Sequence, residues 1–389
     1  MPDNLTKLLS DAVEAPHRLP CAAAMAAHEK GVLFEYAGAS EPSGIDCNSI
    51  FWLASMSKAV TATAALQLVE RGVLTLDTPA GDWVPELAAP VILEGFGDNG
   101  PILRPARQAI TLRDLLAHTS GHGYAFGSDA LGRYVKQAGL PPRSSGTRAS
   151  YNLPLLFEPG SDWHYGIGVD WAGAVIEAAS GQPLDTYLEE HVLAPLGMAD
   201  TGFTLDTAQA ARRAPMSRRD EDGRLEPMTM LAPTTRPEFV SGGGGLYGTP
   251  RDFLCFLRML AGGGVFEGRR ILAPESVQTM QQNQIGNYRG GWITSAQPRI
   301  TRDFDLLPGM AQKWGLGFAI NPERSAEGRS AASVGWAGLA NSYYWIDRAR
   351  ASCGLFMTQI LPFADPEALA LFRRFETTIN TRLDGCADS

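Results

Sequence analysis

At 389 residues the chain exceeds what one hydrophobic core usually supports, so two lobes are expected. A hydrophobic share of 44% against 19% charged residues describes a packed globular protein. The net charge of −9, with no basic run, excludes a nucleic-acid surface and an anionic-membrane binder. Five cysteines (Cys21, Cys47, Cys255, Cys353, Cys386) are scattered without metal-ligand spacing, which predicts reduced thiols, a cytoplasmic setting and no metal. Acidic residues stand where a signal peptide carries basic ones, and no apolar window approaches the roughly 18 residues of a spanning helix.

In chain order, leucines at 5, 8 and 9 with Val13 predict an amphipathic helix over 4–14. Two apolar runs, 21–27 and 32–37, flank Glu29-Lys30-Gly31 and predict a hairpin. A helix from Ser55 to about Arg71 follows, then an extended piece over 73–79. A second hairpin spans 91–104 about Gly97-Asp-Asn-Gly100. Thr111 and Asp114 form a capping-box pair opening a helix that stops before Gly121. Residues 125–150 lack periodicity and are expected to be surface loop. Helices are expected over 169–179, about 184–193 and 250–260, the last after the run Ser241-Gly-Gly-Gly-Gly-Leu246, which lets the backbone approach something closely. Trp314–Ile320, Ser333–Gly338, Ser342–Ile346 and Gly354–Thr358 predict successive antiparallel strands, and a helix from about Pro366 to Thr381 follows. The class is therefore α/β in the α+β sense. A sheet lobe from residues 1–85 and 300–389 holds an inserted, mostly helical lobe from 86–299.

Chemistry concentrates in Phe51-Trp-Leu-Ala-Ser-Met-Ser-Lys58. Residues three apart share a helix face, so the Lys58 amine reaches the Ser55 hydroxyl. Only Lys58 among the five lysines has a serine three positions before it. A serine nucleophile needs a base, and a lysine serves if burial lowers its pKa. The spacing fits equally an N-capping serine beside a surface lysine. A Ser-His-Asp triad is disfavoured because no Gly-x-Ser-x-Gly element occurs, and His118, His122 and His164 have no evident partners. Ser120 reads as a helix terminus. No His-Glu-x-x-His cluster is present.

Further pieces extend the pattern: Ile102-Leu-Arg-Pro-Ala-Arg107, Ile110-Thr-Leu-Arg-Asp-Leu-Leu-Ala-His-Thr-Ser-Gly121, Pro159-Gly-Ser-Asp-Trp-His-Tyr165, the glycine run at 241, and Gly335-Trp-Ala-Gly338. With Ser55-x-x-Lys58, they give a chain that resembles the serine β-lactamase and penicillin-binding-protein superfamily, most of all the family VIII carboxylesterases with a class C β-lactamase fold. The resemblance implies that Ser55 is acylated, Lys58 activates it, and Tyr165 shares proton transfer. It implies an oxyanion hole from the Ser55 and Leu339 N–H groups, and substrate contacts from Tyr124, Ile167, Trp336, Ala337 and Gly338. No cofactor is implied, and the expected partner is a small ester. Two departures bear on substrate. Tyr165-Gly166-Ile167 replaces Tyr-x-Asn, and Trp336 replaces a lysine that would bind an anionic substrate. Short neutral esters are therefore expected to outrank β-lactams, with acyl transfer or amide cleavage by the same residues as alternatives and a non-catalytic binding protein as the non-enzyme reading.

Overall fold

The two ends of the chain build one sheet. The computed structural model describes residues 4–14, 18–40, 44–229 and 232–387. Helix α1 (Asn4–Glu14) leads into the predicted hairpin, β1 (Cys21–His28) and β2 (Gly31–Ala39). The other strands are β3 (Lys313–Trp314), β4 (Ala319–Ile320), β5 (Val334–Gly338), β6 (Ser342–Asp347) and β7 (Ser352–Met357). They form a seven-stranded sheet in the order β3-β4-β5-β6-β7-β1-β2. Every neighbouring pair is antiparallel, and Ala24 of β1 lies between Phe356 and Tyr36.

Helices cover both faces, so β6 and β7 are buried along their whole length. Successive strand side chains point to opposite faces. On one face Tyr343 stacks on Phe372, and Trp345 meets Phe375, both from α7 (Pro366–Ala387). On the other, Tyr344 meets Phe253 of α6 (Pro250–Ala261). Helix α6 thus packs on the sheet although it lies within 86–299. Alanine is a poor strand former, yet β1 carries five of them, because its fully buried centre needs small side chains under packed helices. The Arg329 guanidinium and the Glu376 carboxylate of α7 form a fully buried ion pair, with Nη2 donating to Oε2 at 2.8 Å.

Helix α2 (Ser57–Glu70) has no polar face in its first three turns; residues 57–68 are all buried. A helix apolar all round belongs inside a protein. It packs against α5 (Gly168–Ser180), which also contacts α3 (Leu112–Ala117), whose Thr111/Asp114 capping box is present as predicted.

Three local expectations are corrected. Residues 125–150 are not all loop: α4 (Asp129–Gln137) forms behind an Ser128 side-chain cap. Residues 73–79 form turns, with Thr78 N–H donating to Thr75 O at 3.2 Å. Trp314–Ile320 is not one strand, because Leu316 and Gly317 send their N–H groups to Met280 and Leu116 instead of to a strand neighbour.

Candidate active site

Ser55 sits in a short 3-10 turn, Ala54–Met56, that runs directly into α2. It does not cap the helix with its side chain, contrary to the N-cap reading. Ser57 holds the turn instead: its hydroxyl donates to Ala54 O at 2.6 Å and accepts from Leu246 N–H at 3.1 Å. Ala54 has φ +48°, a left-handed conformation costly for a residue with a Cβ. Such strain gathers at functional sites and turns Ser55 out of the regular helix path.

Lys58, on the first turn of α2, is completely buried. Its Nζ lies 3.1 Å from Ser55 Oγ, 3.0 Å from Tyr124 Oη and 2.7 Å from Gly243 O. Among the described residues it makes no salt bridge. Burial pulls its pKa from 10.5 down to about 7; Asp170 opposes this and Arg143 assists it. The contacts decide where its lone pair goes. A carbonyl only accepts, and the Tyr124 hydroxyl spends its proton on Asp170 Oδ2 at 3.3 Å, so its oxygen only accepts from Lys58. A neutral amine has two N–H bonds for those two acceptors. Its lone pair is left facing the Ser55 hydroxyl.

Tyr165 stands against Lys58, with its ring centroid 4.8 Å from Nζ. Its oxygen accepts from the Trp336 indole N–H at 3.0 Å. Burial pushes the Tyr165 phenol up, while Ser55 and Trp336 pull it part of the way back. The phenol thus stays protonated at neutral pH. Gly166 lets this segment lie against the neighbouring loop: a Cβ there would stand 2.1 Å from His122 O. His118 packs beside Tyr165, with ring centroids 4.7 Å apart, and its Nδ1 accepts the Gly166 N–H at 3.3 Å.

Strand β5 ends beside the serine turn. A Cβ on Gly338 would come within 2.5 Å of Leu53 O, so only glycine permits this approach of β5 to the serine turn. Ala337 is buried in the same strand.

Three expected substrate contacts are placed elsewhere. Trp336 is 1% exposed, with its N–H committed to Tyr165 and its ring packed edge-on to Trp314 at 4.6 Å. Ile167 is wholly buried at the start of α5, and the Tyr124 hydroxyl is committed to Lys58 and Asp170. Sequence reasoning missed Asp170, Ser241, Gly243 and Arg143. Asp170 is fully buried and accepts from the Ser241 hydroxyl, from Gly243 N–H at 3.2 Å and from Tyr124. An aspartate inside the otherwise apolar stretch 168–176 was the available signal, since buried carboxylates are paired. The glycine run approaches α2: besides the Gly243 contacts, Gly242 O accepts from Thr61 and Gly244 O from the Trp52 indole. No group of three or more described His, Cys, Asp or Glu residues could hold a metal ion, and no described helix is long and apolar enough to cross a membrane.

Known proteins share this layout. The chain is 33% identical to "Monacolin J acid methylbutanoyltransferase" from Aspergillus terreus, covering 84% of this chain and 81% of that one. It is 30% identical to "Lovastatin esterase" from Penicillium rubens, covering 86% and 84%. A mutant of simvastatin synthase (LovD) from Aspergillus terreus superposes with a TM-score of 0.83 at 31% identity, over 98% of this chain and 97% of that one. The chain spans 60% of the length of "Protein Rv1367c" from Mycobacterium tuberculosis, to which it is 39% identical over 246 residues. The Beta-lactamase family model matches residues 5–378, and the chain belongs to that family.

Proposed function

We propose that the protein cleaves short-chain, neutral carboxylic esters through an acyl-enzyme on Ser55. The observation carrying this reading is the Lys58 amine, buried without a counter-ion and with both N–H bonds engaged, its third contact being Ser55 Oγ. Lys58 takes the Ser55 proton as Oγ attacks the ester carbonyl. The Ser55 and Leu339 N–H groups receive the developing oxyanion, each worth about 3 kcal/mol of barrier. As the tetrahedral intermediate collapses, the proton passes through Tyr165 to the leaving alkoxide. Water then enters, loses its proton along the same path, and releases the carboxylic acid. No cation stands at position 336, where an anionic β-lactam would need one, so β-lactam turnover is expected to be weak or absent.

A second reading is favoured by the relatives named as acyltransferases: an alcohol replaces water in the second half-reaction. The test is turnover of p-nitrophenyl butyrate with and without an added alcohol, with mass spectrometry of the intermediate. A butyryl group on the Ser55 peptide is expected. Free acid as the main product supports hydrolysis, and a new ester supports transfer. Activity that persists in Ser55→Ala removes both.

A further inference from the structure

Arg143 touches neither Ser55 nor Lys58, yet it completes the charge arrangement that leaves Lys58 without a counter-ion. It lies in the turn Arg143–Ser145, outside every segment that carries the proposed chemistry. Its guanidinium stands over the Tyr124 ring, 4.7 Å from the centroid, and over Tyr151 at 5.2 Å. One Nη lies 3.8 Å from Asp170 Oδ1. The Tyr124 hydroxyl bridges Asp170 to Lys58, so a single carboxylate is shared between two cationic side chains.

The groups facing Lys58 can be counted element by element. The serine turn offers Ser55, the segment after α3 offers His118 and Tyr124, and the segment before α5 offers Tyr165. Helix α5 supplies Asp170, the 143 turn supplies Arg143, and the glycine run supplies only the Gly243 carbonyl. His118 is held neutral by burial first and by Lys58 second, and its Nδ1 accepts a backbone N–H. Both tyrosines are neutral, since burial pushes each phenol up. The fixed charges are therefore Asp170 and Arg143, and they cancel. Asp170 alone would hold a proton on Lys58, because an opposite charge close by favours the ionised form.

We propose that Arg143 is a positioning residue for catalysis: by pairing with Asp170 it takes up the carboxylate that would otherwise keep Lys58 protonated, and so sets the lower pH limit of activity. This rests on Lys58 acting as the base for Ser55. No bond is made or broken by Arg143. Its effect is on which cation Asp170 balances.

The experiment is the pH profile of kcat/KM for p-nitrophenyl butyrate in the wild type, Arg143→Gln, Arg143→Lys and Asp170→Asn. The wild type is expected to lose activity tenfold per pH unit below a limb near 7. Arg143→Gln should move that limb up by about one unit or more, with activity recovered at pH 9, whereas Arg143→Lys should leave it in place. Asp170→Asn should move it down. The Arg143 side chain is about one-third exposed, so the glutamine variant has room to fold; if it does not, the lysine and Asp170→Asn profiles still decide. An unmoved limb in Arg143→Gln, or a rise in KM alone, would overturn the proposal and assign Arg143 to packing or substrate binding. A limb near 7 absent from the wild type, or activity persisting in Lys58→Ala, would instead overturn the base assignment beneath it.

Discussion

Among the described residues one lysine and one arginine are wholly buried, and they are treated in opposite ways. Arg329 meets Glu376 in a bidentate pair that fastens α7 to the connection between β4 and β5. Lys58 meets a carbonyl, a phenol and a serine, with Asp170 one hydroxyl away and already facing Arg143. Arginine keeps its proton in any surroundings, so burying it requires a partner. Lysine can give its proton up, and burial without a partner turns it into a base. The paired cation holds structure and the unpaired one is available for chemistry.

The sharpest way to break this contrast is at the proposed catalytic group. Ser55→Ala and Lys58→Met should each lower kcat/KM for an aryl ester by at least about a thousandfold, and the double variant should lose little more, because the two act as a unit. Steady-state kinetics on the three variants checks this. The opposite pattern is expected at the structural pair. Removing one partner in Glu376→Ala leaves a buried charge and should cost roughly 3–5 kcal/mol in urea unfolding, with kcat/KM of the folded fraction unchanged.

Lys58→Met sharpens the contrast from the stability side. The folded pKa of about 7 lies below the ordinary 10.5, so the native state binds fewer protons than the unfolded chain between those values. Stability therefore rises with pH across that window, and the penalty is fully present below about 7. At neutral pH it is at most about 5 kcal/mol, so a gain of a few kcal/mol is expected for Lys58→Met, fading as the pH approaches 10.5. Denaturant unfolding at pH 7 and pH 10 measures it; a neutral-pH loss would contradict the assignment. The smallest effect is expected at Trp336→Phe. It removes the N–H on Tyr165 and should lower kcat/KM about fivefold, with KM nearly constant, as one hydrogen bond is worth about 1 kcal/mol.

The same contrast explains what was legible in the sequence. Ser55 and Lys58 meet through local helical geometry, which spacing alone carries, and the terminal hairpin and later strands follow from short apolar runs punctuated by glycine. The Gly243 carbonyl touches Lys58, and Asp170 and Arg143 act on it through Tyr124 and through charge, from three distant segments that no local pattern ties to it. Trp336 was read as a substrate contact because it stands where a substrate-binding lysine would, whereas the strand that carries it is covered on both faces. Helix α4 was hidden by Gly132 and its short length, although Ser128 followed by Asp129 is a helix start.

The sheet's strand order also constrains how the protein comes into being. β1 lies between β2 and β7, so one edge of β1 waits for a strand made more than 300 residues later. β5, which packs on the serine turn, is likewise synthesised long after Ser55. Translation thus yields a long precursor phase in which the proposed nucleophile exists but its surroundings do not. Chains stalled or clipped before residue 352 should keep the β1–β2 hairpin but leave the other edge of β1 unpaired, open to capture by other strands.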